Sequence, residues 1–281
     1  MKTKVSAIAL LMTLFLTFQT HATTPQIVNN NHFNLQKDLL LLQCDCKTDV
    51  DDIHVIAAFA TLVASPKYKE LNYLPVAGTY GIQKGLYVPP ENLMRKAFGT
   101  KWVNAHKNPQ KALKRVLART KRTLSAKGDI WIAEAGQSDF TAKLIKAIQK
   151  ELPNIDTQKR IHIVQHSNWN EKETTPEDLN YVKMNTDYQK IPDGNRKGNG
   201  TPGFQLFSQI DWKSFFTDKH QIEIWELSRK VAMKYVGKEG RYNNKSIAKG
   251  GFDFSDLAEV CWILGIDDTP DVQTFFKVYA Q

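Results

Sequence analysis

Only three cysteines, Cys44, Cys46 and Cys261, occur in 281 residues. Three thiols cannot all pair within one chain, and a Cys-x-Cys spacing on a strand is poorly set for a direct bridge. A disulfide-stapled scaffold is therefore excluded. A thiolate zinc centre would need further ligands at suitable spacing, and the sequence supplies none. Beyond the first twenty or so residues no long apolar stretch appears, whereas a membrane-crossing helix takes about 20 apolar residues. Stable membrane insertion is not expected. Zinc-finger, RNP and helix-turn-helix signatures are absent too, so no nucleic-acid partner is expected. There is no internal repeat and no clear linker.

What is present belongs to an ordinary globular protein: 42% hydrophobic and 24% charged residues exclude disorder and collagen-like bias. The basic start Met1-Lys-Thr-Lys4, the apolar run Val5 to Phe18 and the small residue ending Thr20-His-Ala22 have the form of a cleavable secretory signal. The expected organisation is a signal peptide over 1–22 and a single domain over 23–281, and the expected location is periplasmic or secreted. Loss of Lys2 and Lys4 lowers the formal charge from +9 to +7, which leaves a basic surface. Much of that charge lies between Lys107 and Lys127. This segment reads as the solvated face of an amphipathic helix with Ala112, Val116 and Leu117 inward.

The order of elements predicts an α/β fold, a mostly parallel sheet flanked by helices with an open Rossmann-like core. The run Leu39 to Leu42 suits a strand buried on both faces. An acidic turn follows, then a helical spacing of Ile53, Ile56, Ala57, Phe59, Ala60 and Val63, then a strand Tyr73 to Ala77. That is a βαβ unit. The alternation resumes with a strand at Ile130 to Ala133, a helix from about Phe140 to Leu152 and a strand Ile161 to Gln165. The stretch Asp193 to Gly203 has too much glycine for a regular element and reads as a loop over a site. Helices at Ile222 to Val236 and Leu257 to Leu264 complete the pattern.

Chemistry concentrates in the acidic turn, where Asp45, Asp49, Asp51 and Asp52 place four carboxylates within eight residues. In open parallel sheets ligands bind beyond the carboxyl ends of strands, where this turn is expected to lie. Asp49 could cap the following helix, and Asp51 and Asp52 could complement its dipole, but this leaves Asp45 without a role. Hard oxygen donors at this density favour calcium or magnesium over zinc. An EF-hand is excluded, because Asp45-Cys-Lys-Thr-Asp49 lacks both the second ligand and the glycine. A haloacid-dehalogenase-type phosphotransferase would need an Asp where Lys47 stands.

The segment Cys44-Asp-Cys-Lys-Thr-Asp-Val-Asp-Asp-Ile53 resembles the opening motif of the nucleoside hydrolase family, including its inosine-uridine-preferring members. Aligned on the terminal Asp pair, the resemblance implies that Asp45 is the catalytic base and a calcium ligand, Asp51 a ribose ligand and Asp52 a calcium ligand. Gln43 and Lys47 depart from the motif, standing where the family has Asp and Gly. A shorter register would put Lys47 at the catalytic position. Pro75-Val-Ala-Gly-Thr79 is similar to the family's Val-Ala-Gly-Asn and places Thr79 at a sugar contact. Glu134-Ala-Gly-Gln-Ser-Asp139 is similar to the turn that lends calcium a carbonyl, with Ser138 as the equivalent. Gly250-Gly-Phe-Asp-Phe-Ser-Asp-Leu-Ala258 falls where the family has His-Asp before its last helix. That makes Asp256 a calcium ligand, with Asp253 in reserve, and Ser255 stands in place of the His. Asp256 and Glu259 also have the form of a helix cap. Asn168 and Asn170, after a strand, fall where relatives bind sugar; His166 reads as a packing or loop histidine sooner than a catalytic acid, and Trp169 and Tyr188 as partly buried aromatics that could stack on a base.

The resemblance thus implies an enzyme that uses calcium to hydrolyse an N-glycosidic bond of a ribonucleoside. Its partner would be a small nucleoside or glycoside, and a homo-oligomer is compatible with the sequence. Two other readings remain open. One is a degenerate binding protein that keeps the fold, favoured by Lys47, Thr79 and Ser255; the other is a glycosidase for a different sugar.

Overall fold

The computed structural model describes residues 33–196 and 198–280. The expected signal peptide lies outside the described residues. In chain order the first half consists of β1 (Leu39–Cys44), α1 (Asp51–Ala64), β2 (Tyr73–Ala77), α2 (Glu91–Phe98), β3 (Val103–Asn104), α3 (Pro109–Ser125) and β4 (Ile130–Ala135). Next come α4 (Asp139–Glu151), α5 (Thr157–Arg160), β5 (Ile161–Gln165), α6 (Asn168–Lys172), α7 (Pro176–Asn185) and β6 (Asp187–Lys190). The remainder holds β7 (Gln205–Leu206), a 3-10 turn at Trp212–Phe215, α8 (Lys219–Tyr235), α9 (Lys245–Ala248), β8 (Phe252–Asp253), α10 (Leu257–Leu264) and α11 (Val272–Tyr279).

Six strands form one parallel sheet in the order β3-β2-β1-β4-β5-β6, and β7 and β8 make a small antiparallel pair. The fold is α/β with a Rossmann-like open core. β1 is central because its four leucines can be buried on both faces. Leu40, Leu42 and Cys44 pack with α1, α8, α10 and α11, while Leu39 and Leu41 pack with α3 and α4. The chain runs outward from β1 to β3 and returns at β4 on the other side of β1. Strand order therefore reverses between β1 and β4, and their carboxyl ends open a crevice. The acidic turn leaves β1 at that point.

The amphipathic segment within 107–127 is α3, with Ala112, Val116 and Leu117 buried as its spacing requires. Asn108 caps it by accepting from the Lys111 amide at 2.9 Å. α8 starts at Lys219 because the Asp218 carboxylate accepts from the His220 amide at 2.8 Å. The glycine-rich stretch after Asp193 is irregular, and Asn195 ties it to the site described below. Among the described residues no helix is long and apolar enough to cross a membrane.

Leu41 is fully buried and sits between Leu74 of β2 and Ile132 of β4. Leu41→Ala is expected to lower unfolding free energy by about 2–5 kcal/mol in urea titration. An unchanged midpoint would contradict the central place of β1.

Candidate functional site

Asp45 is the first residue beyond β1, and its amide still reaches the Ala135 carbonyl of β4 at 3.3 Å. The chain then turns sharply. Cys46 (φ 51°) and Thr48 (φ 64°) both take left-handed backbone conformations that side chains disfavour. Lys47 does not, so the turn can carry a side chain there although the family motif has glycine. The strained turn is held by its own carboxylates. Asp45 Oδ1 accepts from the Lys47 amide at 2.7 Å, and Asp52 Oδ2 accepts from the Cys46 amide at 2.6 Å. Asp49 Oδ1 accepts from the Val50 amide at 2.6 Å.

The helix-capping role is not what these acids do. Val50 occupies the N-cap of α1, and Asp256 the N-cap of α10, with no capping hydrogen bond from either side chain. The carboxylates instead face one another. Burial raises the pKa values of Asp45, Asp49, Asp51, Asp52, Asp253 and Asp256 above the usual range, and repulsion from neighbours in the group raises Asp49, Asp51, Asp52 and Asp256 further. Burial, the larger effect, pushes Asp45 up to about 6, although a hydrogen bond from Gln137 works against it. Burial and then Asp253 push Asp49 up to about 7. The Asp45 and Asp52 carboxyls lie within hydrogen-bonding reach of each other. Asp52 Oδ1 is buried with no partner. Among the described residues none of the six is in an ion pair with lysine or arginine. The nearest cation, Lys47, turns its ammonium to the Gln83 carbonyl and over the Tyr80 ring, 4.2 Å from its centroid. No three His, Cys, Asp or Glu side chains among the described residues are gathered as a metal-binding set.

Four of the residues named from sequence, Asp45, Asp51, Asp52 and Asp256, thus share one cluster. Thr79 joins them at the end of β2. A Cβ on Gly136 would lie 2.5 Å from the Thr79 carbonyl and 3.2 Å from the Asp45 Cβ, so a glycine is what lets β1, β2 and β4 approach here. Thr79 Oγ1 is buried and unpartnered. Asn170 is buried and connects through Gln137, whose Nε2 donates to Asp45 Oδ2 at 3.0 Å and to Asn170 Oδ1 at 3.1 Å. Asn168 is exposed and lies outside this network. Ser138 turns its hydroxyl to Glu134 at 2.6 Å, and its carbonyl accepts from the Ala142 amide at 2.8 Å, which leaves one lone pair.

No protein-family model matches the chain, and no curated protein or solved structure matches it significantly.

Gln137 and Asn244 escape sequence reasoning, and Ser255, Tyr188 and Trp169 take positions it does not foresee. Gln137 lies inside a motif singled out for its neighbour, and its amide is held in place by the Gly81 amide, which donates to Oε1 at 3.2 Å. Asn244 donates to both Asp253 (2.7 Å) and Asp49 (3.3 Å). Ser255 gives its hydroxyl to Asp253 (2.9 Å), with Asn195 of the glycine-rich loop at 3.0 Å. Tyr188 is bonded to Glu171 at 2.9 Å, whereas Trp169 is exposed on α6.

Glu134, beneath the cluster, is fully buried, and burial pushes its pKa up to about 8. Its proton settles a local conflict. Thr141 Oγ1 has one hydrogen but lies 2.6 Å from Glu134 Oε1 and 3.1 Å from Gln43 Oε1, so a neutral Glu134 can donate where a carboxylate could not. An unfolded Glu titrates near 4.5, so between there and about 8 the unfolded chain has lost a proton that the folded chain keeps. Stability due to this group is present below 4.5 and falls as pH rises through 8. Glu134→Gln is therefore expected to gain stability relative to the parent between pH 5 and 8, measured by urea unfolding. A pH-independent difference would contradict the neutral carboxyl.

Proposed function

We propose that the chain is a calcium-dependent hydrolase of the N-glycosidic bond of a ribonucleoside or related N-riboside, with Asp45 as its base. The observation that carries this reading is the set of six carboxylates clustered at the switch point of a parallel sheet, none of them, among the described residues, in an ion pair with lysine or arginine. Such a cluster calls for a cation, and its donors are hard oxygens of the kind calcium prefers. The partnerless Asp52 Oδ1 fits the same demand. Asp45, Asp52, Asp256 and the carbonyl at Ser138 would hold the ion, with the three side chains drawing together around it. Bound there, calcium would offset the clustered charge and orient a water and the sugar hydroxyls.

The chain's own groups then divide the work. Asp51, partly exposed among the buried acids, accepts a ribose hydroxyl, and Thr79 and Asn170 add hydrogen-bonding groups beside it. Gln137 fixes the Asp45 carboxyl. Asp45 accepts a proton from the water that attacks the anomeric carbon. The carbon–nitrogen bond breaks, its electron pair leaves with the base, and the nearby carboxylates stabilise the positive charge developing on the sugar.

A second reading keeps the cluster as a non-catalytic binding site. It is favoured by Ser255, whose hydroxyl is occupied by Asp253 and Asn195 at the position where the motif carries histidine.

Release of nucleobase from a panel of ribonucleosides, with and without calcium, separates the two. Activity is expected with calcium, and Asp45→Asn is expected to fold normally but lose about 10²- to 10⁴-fold in rate. Near-normal turnover by that variant would remove Asp45 as the base. Calcium at about 100 times its Kd should contribute about 2.7 kcal/mol to the folded state, seen as a raised Tm. Asp52→Asn should lose most of that rise. A parent Tm indifferent to both chelator and calcium would remove the metal, whereas a calcium-dependent Tm without base release would favour the binding protein.

A further inference from the structure

Behind the acidic cluster, His166 leaves the end of β5 with its imidazole 1% exposed. The first turn of α10 meets it with two carboxylates. Asp256 Oδ1 lies 3.3 Å from Nε2, and Glu259 Oε1 lies 3.2 Å from Nδ1. Glu259 Oε1 also accepts from the His166 main-chain amide at 3.1 Å. Residues three apart on a helix share a face, which is why one ring can meet both. Both contacts are close approaches that fall short of hydrogen-bond alignment, and neither ring nitrogen has another hydrogen-bond partner among the described residues. Asp256, for its part, makes no capping bond, and its one ion-pair contact among the described residues is this histidine. The carboxylate would otherwise be free to rotate away from Asp45, Asp52 and Asp253, which repel it.

We propose that His166 is a positioning residue: anchored by Glu259, its ring holds the Asp256 carboxylate in the acidic cluster. The inference rests on the proposed calcium site, in which Asp256 is a ligand. A group that orients a ligand from behind typically changes metal affinity 10- to 100-fold when removed. The two ring nitrogens can be replaced separately. In His166→Asn the amide nitrogen stands near the Nδ1 position, so the Glu259 contact is kept and the reach to Asp256 is lost. In His166→Gln the amide nitrogen can take the Nε2 position and meet Asp256.

The experiment measures calcium binding by calorimetry, alongside urea unfolding, for the parent and both variants. Expected is an affinity for His166→Gln within about threefold of the parent, and a loss of at least about tenfold for His166→Asn. Equal affinities in all three proteins, with stability alone changed, would make His166 a structural tie between β5 and α10 and overturn the proposal. A parent that binds no calcium would defeat the reading of the site. The bridge itself is then decided by the His166 imidazole nitrogen resonances, which should move in Asp256→Asn if the contact orients that carboxylate. Unmoved resonances would overturn it.

Discussion

Six carboxylates that repel one another in a buried crevice set the terms for the rest of this molecule. Burial raises all six and neighbouring charge raises four of them further, so the folded chain holds them together only because other contacts oppose that cost. The opposing contacts are mostly neutral donors. Turn amides serve Asp45, Asp49 and Asp52, Gln137 serves Asp45, and Asn244 with Gln205 serves Asp253. Neutral donors lower the energy of a carboxylate without cancelling its charge. The cluster therefore keeps a net demand for a cation or for protons, and either can be exchanged with solvent in a way that a fixed arginine cannot.

Topology explains why the demand falls at this place. A central strand of four leucines must be covered on both faces, which sends the chain outward through β2 and β3 and back to β4. The crevice between the ends of β1 and β4 follows from that path. Gly136 then permits Thr79 and Asp45 to approach, and Gln137 beside it spans from Asp45 to Asn170 on α6. The same short turn thus packs the sheet and organises the polar groups. Its neighbour Ser138 bonds Glu134, which links the cluster floor to α4.

What could be read in advance depended on how local the signal was. The strands Tyr73–Ala77 and Ile161–Gln165 and the helix Leu257–Leu264 have the bounds that their apolar patterns predict. β6 escaped because Asp187-Tyr-Gln-Lys190 is a polar edge strand with no apolar run. α7 escaped because Val182 is its one buried residue, which leaves hardly any periodicity to detect. In the site, Asp45, Asp51 and Asp52 announced themselves by density. Gln137 and Asp45 stand 92 positions apart and His166 and Glu259 stand 93 apart, so no spacing rule could pair them. The capping alternatives for Asp49 and Asp256 were sound on local pattern. They lost because the tertiary arrangement found other partners for those side chains.

The two residues at which the acidic turn departs from the motif it resembles also acquire physical content once the burial is known. Gln43 stands where the motif has an Asp, and it is fully buried against Thr141. A carboxylate there would face Thr141 and Glu134 from within the sheet, adding another repulsive charge beneath six that already repel. With Gln43 neutral, and Glu134 held neutral to about pH 8, the layer under the cluster carries no charge over the pH range in which Asp45 titrates. Lys47 tells a related story above the cluster. Its ammonium is held by the Gln83 carbonyl and the Tyr80 ring, so its charge favours the Asp45 carboxylate without forming an ion pair with it. Both residues leave the excess negative charge confined to the crevice itself.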